Sequence, residues 1–185
     1  MEKFLKLTGG SFAGRRIYVP DTGVRPATNL VREAIFSTLN SYFKEGMHGC
    51  TVLDLFAGTG SLGLEALSRG ALKVTFVDSR VESMRSIQKS LKTLGFAGKV
   101  EKSDVSRFLK KQKPIDYDLI FMDPPYRYRK CGEILNLLKT TLIRRFSTIL
   151  VYERAFEKDP PDFEDNIHLL KRKKYGQSEL LYYMI

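Results

Sequence analysis

"LDLFAGTGSLGLEAL", residues 53–67, decides the fold of this 185-residue chain. A short apolar run ends at the turn Gly58-Thr-Gly60-Ser-Leu-Gly63, and a second apolar segment leaves it. That order reads as a buried strand, a tight turn and a helix. By spelling the turn is G-x-G-x-x-G, the loop that lays a dinucleotide pyrophosphate on a helix N-terminus. Asp54 opposes that reading. Four residues before the first glycine, it brings a carboxylate to the place a pyrophosphate would occupy, where like charges repel.

Outward from this turn the chain alternates. Strands "TVLDLF", "KVTFVD", "GKVEKSD", "YDLIFMD" and "STILVYE" interleave with helices "SLGLEALSRG", "RVESMRSIQKSLKTLG", "VSRFLKKQ" and "CGEILNLLKTTLI". In the long second helix Val81, Met84, Ile87, Leu91 and Leu94 make the buried stripe, and Gly95 ends it. Short apolar strands between amphipathic helices imply a mostly parallel sheet covered on both faces. The last two strands, around "NIHLLKRKKY" and "SELLYYMI", are joined only by "YGQ" and should close one edge as an antiparallel hairpin. Before the sheet, "KFLKL" and "RRIYVP" flank a glycine-rich connector and read as a small hairpin. A helix starts at Thr28 or Asn29 and runs through "LVREAIFSTLNSYF", with Leu30, Val31, Ala34, Ile35, Phe36, Leu39 and Phe43 as its apolar face. The expected division is an N-terminal hairpin and helix over residues 1–45 and an α/β domain over 46–185, with seven strands in a Rossmann-like sheet.

Composition bounds the partners. Lys and Arg number 31 against 21 Asp and Glu, a net +10, which favours a polyanion. Residues 1–150 hold 25 basic and 14 acidic side chains, and residues 151–185 hold 6 and 7. The excess therefore belongs to the body of the fold rather than to a basic tail. Two cysteines, Cys50 and Cys131, and two histidines, His48 and His168, match no metal-ligand spacing. No metal, no membrane segment, a reducing cytoplasm and a monomer are the expectations.

The acids at the strand ends name the ligand. Asp54, Asp78, Asp104 and Asp123 follow four successive strands, at the end of an open α/β sheet where ligands bind. Each of Asp78 and Asp104 also suits a helix cap. As a set they disfavour pyrophosphate and suit a cation with hydroxyls and an exocyclic amine. S-adenosyl-L-methionine has those groups: a sulfonium, an ammonium, a ribose diol and an adenine amine. Asp54 would face the ammonium, Asp78 the ribose at an offset of 20 residues from Gly58, and Asp104 the adenine amine. Gly58 and Gly60 would let backbone approach the cofactor. Phe56, Ala57, Thr59, Ser79 and Val105 complete the expected cofactor contacts. An NAD enzyme remains the alternative that the glycines spell.

"MDPPYRYRK", residues 122–130, points to the acceptor. Asp123-Pro124-Pro125-Tyr126 follows the fourth strand and opens on the same rim, and consecutive prolines keep it stiff and extended. Such a loop suits methylation of an amino group conjugated to a ring. Asp123 and the Pro124 carbonyl would accept its two N–H groups, and Tyr126 would stack on a flipped base. Positioning for in-line displacement supplies most of the acceleration.

The DPPY loop with "LDLFAGTGSLGLEALSRGA" resembles the amino-methyltransferases of the class I S-adenosylmethionine-dependent fold. "LTGGSFAGRRIYVP", "RPATNLVREAIFSTL" and the closing "KYGQSELLYY" are similar to the RsmD family, bacterial 16S ribosomal RNA guanine-N2 methyltransferases. The resemblance covers nearly the whole chain. It implies transfer of a methyl group from S-adenosyl-L-methionine to a guanine N2 in ribosomal RNA, free or within the small subunit. It implies that Asp54, Gly58, Gly60, Asp78 and Asp104 serve the cofactor. Asp123, Pro124, Pro125 and Tyr126 would serve the base, and Arg25, Arg32 and Glu33 RNA entry. Ala27, Asn29 and Leu30 depart from the family's usual threonine, aspartate and arginine. Arg15, Arg16, Arg127, Arg129 and Lys130 are the further expected phosphate contacts. An adenine-N6 methyltransferase and a non-catalytic ribosome assembly factor are the other readings.

Overall fold

A computed structural model describes residues 3–20, 28–112, 116–141, 148–157 and 167–185. In chain order the elements are β1 (Lys3–Lys6), β2 (Arg16–Val19), α1 (Asn29–Leu39), β3 (Thr51–Leu55), α2 (Ser61–Ser68), β4 (Lys73–Asp78), α3 (Val81–Leu94), β5 (Gly98–Lys102) and α4 (Val105–Lys111). Then follow β6 (Leu119–Met122), α5 (Cys131–Thr141), β7 (Ile149–Ala155), β8 (His168–Tyr175) and β9 (Ser178–Met184). The main sheet has the order β5-β4-β3-β6-β7-β9-β8. Its first five strands are parallel, and β9 pairs antiparallel with both β7 and β8. This is the expected Rossmann-like sheet with its antiparallel closing hairpin.

Alternation along each strand explains the two layers. Val52, Val74, Phe76, Leu119, Phe121, Val151 and Tyr182 face one core with Ile35 and Phe36 of α1, Leu64 of α2 and Ile87 of α3. Their neighbours Leu53, Val77, Ile120, Met122, Leu150 and Tyr183 face a second core with Phe108 of α4 and Ile134 and Leu138 of α5. Each such fully buried side chain contributes roughly 1.5–3 kcal/mol, so both helical layers are held by burial on their own face of the sheet. Among the described residues no helix is long and apolar enough to cross a membrane.

Crossovers run one way from β3 through β4 to β5 and the other way to β6 and β7. The order therefore reverses at the β3/β6 boundary, and a crevice opens beyond the carboxyl ends of those two strands. Asp54 lies at the end of β3 and Asp123 directly after β6.

Two details of the N-terminal part differ from the sequence reading. Helix α1 ends at Leu39 rather than near Phe43, and Asn40 to Gly46 continue as turns. Its buried stripe is Arg32, Ile35, Phe36 and Leu39, whereas Leu30 is 68% exposed. Ile35, Phe36 and Leu39 of the expected face are buried and Val31 and Phe43 pack against the same core, while Leu30 turns outward and an arginine occupies the first buried position of the stripe. The β1–β2 hairpin packs Leu7 and Ile17 into the α1–α3 core. It is pinned by the Ser11 N–H to the Ser68 carbonyl at 2.8 Å and by the Tyr18 N–H to Ser90 Oγ at 2.9 Å.

Candidate active site

The glycine turn is locked from within by carboxylates. Asp54 points to the α2 side of the sheet and accepts from the Gly63 N–H at 3.0 Å. That bond caps the helix from the strand, since the N-cap Gly60 has no side chain to do so. Asp78 Oδ2 accepts from the Gly58 N–H at 2.8 Å, and its Oδ1 accepts from the Arg80 N–H at 2.9 Å. Asp104 caps α4 by accepting from the Arg107 N–H at 3.1 Å. Two amides that a pyrophosphate cradle would need are therefore already given to acids. The spelled dinucleotide reading fails on hydrogen bonds as well as on charge.

The three glycines do different work. Gly58 and Gly60 have φ of 54° and 71°, a region that favours glycine. A Cβ on Gly60 would lie 2.7 Å from Ile87 Cγ1, inside the core. Gly60 is thus required by packing of the turn against α3. A Cβ on Gly63 would lie 2.3 Å from Phe76 Cε1, so this glycine lets α2 lie close on β4.

Nine of the ten residues expected at the cofactor line one cleft of about 360 Å³: Asp54, Phe56, Ala57, Gly58, Thr59, Asp78, Ser79, Asp104 and Val105. Gly60 is the exception. Asp123, Pro124, Pro125 and Tyr126 line the same cleft from the β6 side, so the two motifs face each other. Burial holds the Asp54 carboxyl well above its usual range, the charges of Asp123 and Asp78 raise it further, and the Gly63 bond opposes them. Burial, with the nearby charge of Glu153, pushes Asp123 up to about 8. Acids that disturb one another in this way are stabilised by a cation and destabilised by an anion. A sulfonium with an ammonium, a diol and an amine fits this set of acceptors. Each carboxylate oxygen that takes one backbone N–H keeps a lone pair for a ligand.

The Asp123-Pro-Pro-Tyr loop turns back through a hydrogen bond from the Tyr128 N–H to the Pro125 carbonyl at 2.7 Å. Tyr126 is 69% exposed, with its hydroxyl 2.7 Å from Ser178 Oγ. The Tyr128 ring meets Phe56 edge-on at 4.8 Å between centroids. Phe56 holds φ 59°, unusual for a residue with a side chain.

The expected RNA contacts divide sharply. Arg15, Arg16, Arg127, Arg129 and Lys130 are exposed. Arg25 lies outside the described residues. Arg32 is corrected: it is fully buried, and its Nη2 donates to the Lys6 carbonyl and to Asn29 Oδ1, each at 2.7 Å. Its Nη1 lies 3.8 Å from Glu65 Oε2, and burial lowers its pKa. It ties hairpin to helix and presents no charge to a phosphate. Glu65, also buried, accepts from the Thr8 N–H at 2.9 Å and from Arg69 Nη2 at 3.0 Å.

Sequence reasoning missed Ser61, Leu62, Arg80, Ser103 and Tyr128 in the cleft wall. Ser61 and Leu62 are the two positions before Gly63 within the glycine motif itself, so reading its variable positions would have found them. Ser103 and Arg80 adjoin the strand-end acids. It also missed the second acid beside the loop, Glu153, and a further cleft of about 510 Å³ on the other side of Tyr126, lined by Thr28, Leu30, Asp123, Glu153 and Gln177 among others.

Comparisons with known proteins agree with this geometry. The family model described as conserved hypothetical protein 95 matches residues 5–184. Ribosomal RNA small subunit methyltransferase D of Escherichia coli is 34% identical over 175 residues, covering 94% of this chain and 86% of that protein. YlbH of Bacillus subtilis is 32% identical over 97% of this chain and 98% of its own length. The solved structure of yhhF from Escherichia coli is 33% identical, covers 98% of both chains and superposes with a TM-score of 0.88.

Proposed function

We propose that this chain, which belongs to the conserved hypothetical protein 95 family, moves a methyl group from S-adenosyl-L-methionine to the exocyclic N2 amine of a guanine in small-subunit ribosomal RNA. The observation that carries the reading is one cleft walled by both the capped glycine turn and the Asp123-Pro-Pro-Tyr loop. Ribosomal RNA as the substrate rests on the name of the Escherichia coli relative, which the chain matches over most of both lengths. Guanine N2 rests on the similarity of the N-terminal and glycine motifs to the RsmD family.

When bound, the cofactor supplies an electrophilic methyl on sulfur. Asp54 and Asp78 hold its ammonium and ribose, and Asp104 its adenine amine, while keeping their backbone bonds. Asp123 and the Pro124 carbonyl accept the two N–H groups of the target amine and turn its lone pair towards the methyl. Tyr126, exposed at the mouth, stacks on the extruded base. Arg127, Arg129 and Lys130 follow the loop and grip flanking phosphates, with Arg15 and Arg16 on the hairpin as a second grip. In its ionised form Asp123, already accepting the N–H of the amine, is the group placed to take the released proton.

The test uses labelled methyl donor with ribosomal RNA, and with small subunits, from cells lacking this protein. N2-methylguanosine in the nucleoside digest is expected. N6-methyladenosine would replace the base assignment, and no transfer to either substrate would overturn the function.

A further inference from the structure

We propose that Glu153 is a specificity-determining residue that accepts the ring N1–H of the target guanine, beside Asp123 on the exocyclic amine. The inference rests on the guanine-N2 reading above and extends it to the recognition of the base.

Three observations place Glu153 there. The register pairs Met122 of β6 with Tyr152 of β7, so Asp123, directly after β6, is the next position beside Glu153 of β7. Both side chains line the cleft of about 510 Å³ beyond Tyr126, whose size suits a nucleobase. Third, Glu153 hydrogen-bonds to Ser178, while its Oε2 is buried and has no hydrogen-bond partner among the described residues. An unpartnered buried carboxylate oxygen is costly, and a donor arriving with the substrate removes that cost.

The chemistry of the base completes the match. On its Watson–Crick edge guanine presents N1–H and N2–H side by side, two donors, and two adjacent carboxylates present only acceptors when ionised. Adenine puts a ring acceptor at N1 and would meet Glu153 with like polarity. Ser178 also bonds the Tyr126 hydroxyl at 2.7 Å, so the group reading the edge and the ring stacking on the face share one anchor. Leu30 and Tyr126, both largely exposed, stand at the mouth where a base enters.

A site built to bond a particular N–H rejects the analogue lacking it far more strongly than an apolar pocket rejects a missing methylene. The experiment therefore replaces the mapped target guanosine with 2-aminopurine riboside, which keeps the exocyclic amine and turns N1 into an acceptor. Both RNAs are assayed side by side at one pH, so that the comparison between them does not depend on the ionisation of the two carboxyls. Wild-type protein is expected to methylate the guanosine RNA at least tenfold faster than the 2-aminopurine RNA. Glu153→Gln, whose amide donates to an acceptor N1, should slow the guanosine RNA at least tenfold and raise the 2-aminopurine to guanosine ratio at least tenfold. Glu153→Asp should keep the preference for guanosine. A Glu153→Gln protein that slows both RNAs equally, or leaves the ratio unchanged, overturns the proposal. Failure of wild-type protein on the guanosine RNA overturns the guanine-N2 reading instead.

Discussion

Arg32→Ala separates a structural arginine from an RNA-binding one. Arg32 Nη2 makes two charge-assisted hydrogen bonds of 2.7 Å, to the Lys6 carbonyl and Asn29, each contributing roughly 1.5–3 kcal/mol. Truncation also leaves a cavity where the buried stem packed. Against these losses stands the cost of burying the charge, several kcal/mol, only partly offset because Nε and Nη1 find no hydrogen-bond acceptor among the described residues. The difference is a net loss of about 2–4 kcal/mol. For a chain of this size that lowers the melting temperature by roughly 5–15 °C, read by circular dichroism. The folded fraction should bind RNA with an unchanged salt dependence. Arg32→Met, which keeps the stem and removes the charge, should lose less. The reasoning is refuted if Arg32→Ala melts like wild type while the slope of log affinity against log salt falls by about 0.7–0.9, the signature of one lost phosphate contact.

Asp123→Asn should abolish methyl transfer while S-adenosyl-L-methionine still binds by calorimetry; transfer at the wild-type rate would sink the role given to the loop. Burial raises Asp123 from an ordinary 3.8 to about 8, so its protonated form suits the fold. Its contribution to stability is full below about pH 4 and is lost as pH rises to about 8, a slope that Asp123→Asn should flatten in denaturant titrations. Gly63→Ala drives a Cβ to 2.3 Å from Phe76 Cε1 and should cost about 1–3 kcal/mol by urea unfolding; a neutral result would show that α2 can move off β4. Combined Arg127→Ala, Arg129→Ala and Lys130→Ala should leave the melting temperature within a degree or two. It should reduce the salt slope of RNA binding by about 2–3.

The sheet was legible because period and punctuation agreed. Strands buried on both faces read as continuous apolar runs, and Gly95, with φ 70°, ends α3 as its position predicts. Thr28 accepts from the Val31 N–H and starts α1, also as read. What periodicity hid was polarity inside the core. Arg32 stands three and four residues before Ile35 and Phe36, on the buried stripe, but a rule that sorts charged residues outward moves it to the surface. Glu65 is concealed in the same way within an almost entirely buried helix. The signal was present: Glu65 and Arg69 have the i,i+4 spacing of a pair, and they bond at 3.0 Å. Partners distant in sequence, such as Thr8 with Glu65, leave no local pattern.

The acids at the strand ends invite a choice between capping and ligand binding, and the choice is a false one. Asp54, Asp78 and Asp104 each accept one or more backbone N–H groups, yet all three line the cleft. Capping fixes where the remaining lone pairs point, so the loop is organised before a ligand arrives, and less ordering cost falls on binding. The same economy joins the two motifs. Phe56 leaves β3 in the left-handed region, a conformation that costs of order 1–3 kcal/mol for a residue with a Cβ. In that conformation its ring packs on Tyr128 beyond the Asp123-Pro-Pro-Tyr turn. The strain thus couples the glycine-turn side of the cleft to its Asp123 side, across the β3/β6 boundary where the strand order reverses. In-line displacement tolerates little error in the separation of donor and acceptor. A rigid ring contact between the two loops holds that separation better than either loop alone.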